Sequence, residues 1–146
     1  PANQCKALEL LLNASSTDAT FNSQARNPPP RCHPNTRKDL LDYIYKWVET
    51  GEEKILFLDG PAGAGKTALA QTVAESYSKK KRLLASYFFL QGSPSQNTIE
   101  PLIPTITYQI TSYSSQNQKK IKNKIKHDPS LLTKSPNVQV DELILK

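Results

Sequence analysis

Gly60, Gly63 and Gly65, followed at once by Lys66 and Thr67, are the residues whose types and spacing could do chemistry. They stand in the run Gly60-Pro61-Ala62-Gly63-Ala64-Gly65-Lys66-Thr67. A polyphosphate is a dense cluster of anionic oxygens, and holding it takes several donors that converge with no side chain in the way. Glycine leaves the backbone bare, so successive N–H groups from Ala62 to Thr67 can turn inward, aided by the positive end of a helix that starts at Lys66. Lys66 is then placed to reach the β- and γ-phosphates, and Thr67 to put its hydroxyl on Mg²⁺. The expected nucleotide site is therefore Gly60, Pro61, Ala62, Gly63, Ala64, Gly65, Lys66 and Thr67, with Lys66 as the catalytic residue, Thr67 as the metal-binding one, and ATP or GTP with magnesium as ligands.

Such a loop must be launched by one element and received by another. Lys54 to Asp59 is a nearly continuous apolar run of the length expected for a strand buried on both faces. Lys66 to Ser78 carries Leu69, Ala70, Val73 and Ala74 at helical spacing, and Leu83 to Leu90 reads as a second buried strand. Strand, helix and strand in that order predict a βαβ unit with a right-handed crossover. The expected fold is thus α/β, a truncated three-layer P-loop domain with a parallel sheet, preceded by a short helix and a Pro/Ser-rich linker.

The flanks are read the same way. Leu8, Leu11 and Leu12 give Gln4 to Leu12 an amphipathic helix, while Asn13 to Asn35, with Pro28-Pro29-Pro30, predicts an extended, solvated linker. The division expected is residues 1–31 as helix and linker and residues 32–146 as the nucleotide-binding part. Thr36 is read as the cap of a helix that runs through Leu40, Leu41, Ile44, Tyr45, Trp47 and Val48 to a stop at Gly51. A further helix is expected near Thr98 to Tyr113, then a lysine-rich one with Ile121 and Ile125 on its apolar stripe. Ser135-Pro136 opens a last helix carrying Val140, Leu143 and Ile144.

Two other patterns imitate nucleotide chemistry and fail. Asn123-Lys124-Ile125-Lys126 lacks the carboxylate that a guanine-reading box needs, since position 126 is a lysine. Val138-Gln139-Val140-Asp141-Glu142 resembles an apolar strand ending in paired acids, yet Gln139 interrupts it and a helix-start signal precedes it, so it is read as helical.

Composition bounds the rest. The chain has 146 residues, 37% hydrophobic and 22% charged, which suits one globular domain, and with no methionine and Pro1 first it is expected to be excised from something longer. No apolar run approaches the roughly 18 residues of a membrane span. Cys5 and Cys32 are too few for a disulfide framework, and a reducing, cytoplasmic setting is expected. The net charge of +6 comes mostly from Lys79-Lys80-Lys81-Arg82 and the lysines between 119 and 126. The first block suits a helix C-terminus and the second a solvated helix face, and neither has interleaved aromatics to stack bases.

These residues together resemble the fungal NACHT-type NTPases of the STAND class, relatives of nucleotide-binding immune receptors. The likeness lies in Cys32-His33-Pro34-Asn35-Thr36-Arg37, the Trp47 helix, Ile55 to Thr67, Leu83 to Phe89, and Leu102 to Ile110. It implies the N-terminal part of a NACHT domain, a switch in which nucleotide binding or exchange drives self-assembly of a larger protein. It also suggests a place for Thr36 and Arg37 beside the nucleotide base. The family's acidic Walker B strand is expected beyond residue 146, so phosphate binding carries over to Gly60 through Thr67 and hydrolysis does not. Three functions stay open at this level: a hydrolysing signalling switch, a nucleotide-binding module without turnover, and a basic nucleic-acid-binding domain.

Overall fold

A computed structural model describes residues 2–146, and side chains over residues 6–146. The element order is α1 (Ala2–Ala14), α2 (Lys38–Thr50), α3 (Lys66–Lys79), α4 (Leu102–Thr111), α5 (Ser115–His127) and a short α6 (Pro136–Gln139) that continues as a π-helical turn over Val140–Leu145. Shorter 3₁₀ turns cover Thr17–Ala19, Gln24–Arg26 and Pro129–Thr133. The chain divides into two compact units, one formed by residues 1–27 with 84–146 and the other by residues 28–83.

In the first unit α1, α4 and α5 pack on one another, because each presents an apolar stripe at helical spacing. Ala7, Leu11, Ile121, Ile125, Leu131 and Leu143 form the buried cluster, with Leu8, Leu10, Tyr108 and Ile110 against its rim. Leu12 is left exposed on α1. Helix α5 starts where the Ser114 hydroxyl accepts from the N–H groups of Gln116 and Asn117 at 3.2 and 3.4 Å, which offsets two of the donors a helix start leaves unpaired. Ile121 and Ile125 are buried, as the stripe predicts, while Lys119, Lys120 and Lys126 are exposed and Lys122 and Lys124 half-buried. Ser135 and Pro136 open the last helix, so Val138 to Glu142 is helical rather than a strand, in agreement with the sequence reading.

The expected parallel sheet is absent: among the described residues there are helices and irregular chain but no strand. Both apolar runs that predicted it are extended without a ladder. No backbone hydrogen bond reaches Ile55 through Asp59, and exposure alternates along them, with Ile55 at 85% and Phe57 at 84% facing outward while Leu56 and Leu58 are half-buried. Residues 84–90 satisfy their backbone elsewhere. Phe88 N–H donates to the Ala19 carbonyl at 2.8 Å, and Ser86 N–H and C=O are both held by the Gln109 amide, at 3.0 and 2.9 Å. The two runs also belong to different units. An apolar run marks a segment suited to burial, but strand identity requires a neighbouring strand that pairs with successive N–H and C=O groups, and neither run has such a neighbour among the described residues.

The stretch from Asn13 to Asn27 departs from the solvated linker expected of it. Ser16 and Ala19 are buried, the Ser16 N–H donates to Thr105 Oγ1 at 2.8 Å, and the Phe21 N–H donates to Ser86 Oγ at 3.0 Å. Arg26 lies over the Phe88 ring, 3.8 Å from its centroid. A Ser/Thr-rich composition suits solvent, whereas here the hydroxyls of Thr105 and Ser86 take up the segment's backbone donors and hold it packed.

In the second unit, α2 buries Ile44 and half-buries Leu40, Leu41, Tyr45, Trp47 and Val48, as its periodicity predicts, and ends at Gly51 with φ 62°. Its start is different. Thr36 uses its hydroxyl on the His33 carbonyl at 2.7 Å rather than as a cap, and Arg37, left-handed at φ 54°, precedes the first helical residue. Helix α3 buries Leu69, Gln71, Ala74 and Tyr77 and leaves Ala70 exposed, so the buried face is rotated from the expected one. Near its C-terminus, Tyr77 meets the Tyr45 ring edge-on at 5.8 Å, Arg82 pairs with Glu49 at 2.6 Å, and Lys80 lies 5.0 Å from the Tyr77 centroid.

Two outcomes follow from this packing. Leu11→Ala and Ile125→Ala each remove a fully buried side chain from the first unit's core, and each lowers unfolding free energy by about 2–5 kcal/mol in urea denaturation. Asp128 caps the Pro129–Thr133 turn, and its hydrogen bonds with Lys134 and Ser130 hold its carboxyl down to about 2. A depressed carboxyl stabilises fully above its ordinary pKa, about 3.9, and that contribution is lost as the pH falls through the folded value. A carbon-detected titration of Asp128 shows the low midpoint, and Lys134→Ala moves it upward.

Candidate functional site

The loop launched by residues 54–59 turns into α3 through two left-handed glycines, Gly63 at φ 78° and Gly65 at φ 80°. Only glycine takes this conformation without a steric penalty. Gly65 is the N-cap of α3 and has no side chain to cap it, so the helix start depends on backbone alone. Leu69 N–H donates to the Gly65 carbonyl at 3.0 Å, whereas no acceptor in the described residues meets the N–H groups of Lys66, Thr67 and Ala68. Those free donors lie at the positive end of the helix.

Two cations hold the bend from either side. The Lys66 ammonium folds back onto the loop, donating to the Gly60 carbonyl and to the Pro61 carbonyl, the latter at 2.9 Å. The Arg37 guanidinium donates to the Ala64 carbonyl. Within the loop, Ala64 N–H donates to the Pro61 carbonyl at 3.2 Å and closes the turn. A concavity forms beside this bend, lined by Pro30, Ala62, Gly63 and the run Gly65 to Ala68. No carboxylate is among its lining residues. Thr67 stands exposed on the first turn of α3, and its hydroxyl makes no hydrogen bond within the described residues. Bare glycine backbone, free N–H groups and one ammonium make a surface of donors, which fits an anion and disfavours a cation by itself. Consistent with that, no group of three or more His, Cys, Asp or Glu side chains among the described residues could hold a metal ion.

The segment before α2 is strapped along α3. Arg31 Nε donates to both oxygens of Glu75 at 2.9 and 2.8 Å, and the Cys32 N–H donates to Thr72 Oγ1 at 3.2 Å. Thr72 Oγ1 in turn donates to the Ala68 carbonyl at 2.8 Å, inside the turn that follows the loop. Gln71 is buried and donates to Glu75 at 2.8 Å. Burial alone would raise the Glu75 carboxyl, but the hydrogen bonds from Gln71 and Arg31 and the charges of Arg31 and Lys79 bring it below its usual value. The strap thus uses an ionised Glu75 at neutral pH.

The structure brings together every residue the sequence named from Gly60 to Thr67, in one bend. It also places Arg37 on that bend. Of the two acids that imitate a Walker B pair, Asp141 is exposed and Glu142 pairs with Lys146 at 2.6 Å, both within the first unit. Sequence reasoning missed Arg31, Gln71, Thr72 and Glu75. Arg31 and Glu75 lie 44 positions apart, and no local pattern signals such a pairing. Cys32 is a half-buried free thiol and His33 is exposed, while the side chain of Cys5 lies outside the described residues. On α5, Lys124 donates to the Glu142 carbonyl and Lys122 to Gln118 at 3.2 Å, so part of the lysine block is committed within the fold.

A family model described as nephrocystin 3, N-terminal, matches residues 35–146. The chain belongs to that family. The match takes in the glycine loop, Arg37 and all elements from α2 onward, and it begins after the Arg31 strap. No curated protein and no solved structure matches the chain. No described helix of this nephrocystin 3 N-terminal family member is long and apolar enough to cross a membrane.

The two left-handed glycines separate conformational from steric cost. A Cβ at Gly63 meets nothing within 4 Å, whereas one at Gly65 lies 3.0 Å from Arg37 Nη2. Gly63→Ala therefore costs about 1 kcal/mol of stability, the backbone penalty alone. Gly65→Ala costs more, and thermal melts of the two variants side by side show the difference.

Proposed function

We propose that the loop Gly60-Pro61-Ala62-Gly63-Ala64-Gly65-Lys66-Thr67 binds the phosphates of a nucleoside triphosphate, ATP or GTP, together with Mg²⁺. The observation that carries this reading is the convergence at one concavity of two left-handed glycines, the unpaired N–H groups at the start of α3, and Lys66, with no carboxylate lining it. The Lys66 ammonium now rests on two backbone carbonyls. A phosphate oxygen is the stronger acceptor because it is charged, so an incoming polyphosphate draws the ammonium off them. Thr67 would hold the magnesium with its hydroxyl, and the metal would supply neutralisation of phosphate charge.

The NACHT-like resemblance of the sequence extends this to a nucleotide-controlled signalling switch within a longer protein that self-assembles. Membership of the nephrocystin 3 N-terminal family is compatible with that reading. For these 146 residues, binding without turnover is the favoured form. No carboxylate lines the concavity to orient or deprotonate a water, and Glu142 is engaged with Lys146.

Calorimetry with MgATP and MgGTP tests the reading. Lys66→Ala removes charge-assisted hydrogen bonds and weakens binding by about 10- to 100-fold. Thr67→Ala reduces the gain in affinity that magnesium brings. Heat change that is absent with both nucleotides, or equal in wild type and Lys66→Ala, rejects the proposal. Phosphate release above the Lys66→Ala background would reject the form without turnover.

A further inference from the structure

Arg37 reaches the loop by an unfavourable route. It is left-handed at φ 54°, two positions after Asn35 at φ 65°, and a non-glycine residue in that region costs about 1–2 kcal/mol. Its side chain gives α2 no capping hydrogen bond, and no carboxylate pairs with it among the described ion pairs. What it does contact is the glycine loop. The guanidinium donates to the Ala64 carbonyl and lies close to Gly65, where a Cβ would sit 3.0 Å from Nη2 and 3.3 Å from Cζ. The left-handed backbone favours glycine at position 65, and a Cβ there would require the Arg37 side chain to give way by a few tenths of an ångström.

We propose that Arg37 is the positioning residue of this loop: by holding the Ala64 carbonyl it turns the N–H of Gly65 toward the phosphate-binding concavity. This rests on the phosphate-binding reading above. The C=O and N–H of one trans peptide point in opposite directions. With the Ala64 oxygen fixed on Arg37, the Gly65 N–H faces away from the guanidinium. Gly65 lines the concavity and Ala64 does not, which is the arrangement that this orientation produces. Strained backbone persists where its surroundings over-determine it, and here the surroundings are the strap of residues 31–36 on one side and the loop on the other. Arg37 is exposed, so its replacement removes the contact and leaves the core intact.

The test uses the full 146-residue chain, labelled with nitrogen-15, and MgATP as the probe. In the nucleotide-free protein, Arg37→Ala shifts the Gly65 amide resonance and speeds its exchange with solvent, while the melting temperature stays within a few degrees of wild type. The same variant binds MgATP about tenfold more weakly, and Arg37→Lys, which keeps a donor but loses the planar fork, recovers part of that affinity. A Gly65 amide unmoved by Arg37→Ala overturns the proposal, even if affinity falls, because Arg37 would then act on the nucleotide directly. Unchanged affinity in Arg37→Ala beside a wild type that binds also overturns it. Failure of the wild type to bind MgATP removes the phosphate-binding reading alone, since the amide measurement needs no nucleotide and still decides what Arg37 does to the loop.

Discussion

A bend of bare backbone between residue 60 and α3 is the constraint on which the second unit depends. Within this bend the Ala64 N–H pairs with the Pro61 carbonyl at 3.2 Å, but no backbone donor among the described residues meets the carbonyls of Gly60 and Ala64, which take side-chain donors instead. Lys66 supplies donors to the carbonyls of Gly60 and Pro61, and Arg37 supplies one to Ala64. With the carbonyls engaged by cations, the N–H groups at the head of α3 are left for an external acceptor. The same two side chains therefore shape the loop and give it positive charge, which is why an anion is the ligand class that suits it.

Around the bend, the irregular segments hold by side-chain hydrogen bonds where regular structure would use a ladder. Residues 31 and 32 are tied to α3, Arg31 through Glu75 and the Cys32 N–H through the hydroxyl of Thr72. In the first unit, the amide of Gln109 takes both backbone groups of Ser86, and Thr105 takes the N–H of Ser16. Each such bond is worth only about 1 kcal/mol net, yet leaving its buried backbone partner unpaired would cost about 1–3 kcal/mol. These polar side chains thus carry a structural function that hydropathy patterns do not register.

Residues 55–59 stand apart from this economy. Their backbone has no hydrogen-bond partner among the described residues, and Ile55 and Phe57 present large apolar side chains outward. The run has the composition of a buried segment and the surroundings of an exposed one. It is where sequence and structure disagree most sharply, and the disagreement explains why the α/β expectation failed: a two-sided apolar run reads as a central strand only if neighbours exist on both edges and both faces.

What the sequence determined by itself was local. The glycine, lysine and threonine spacing marked the loop, because steric freedom at φ near 80° is a property of glycine wherever it stands. Helical periodicity located α2, α3 and α5, and the stop at Gly51, because side chains three and four residues apart share a face whatever lies opposite. Tertiary structure alone decided the rest: that the Ser/Thr-rich stretch after α1 is packed, that Arg31 finds Glu75 and Arg37 finds Ala64, and that the run 84–90 bonds to Ala19 and Gln109 rather than to another strand. Each of these is a meeting between residues far apart in the chain, set by how elements pack, and a one-dimensional pattern carries no term for it.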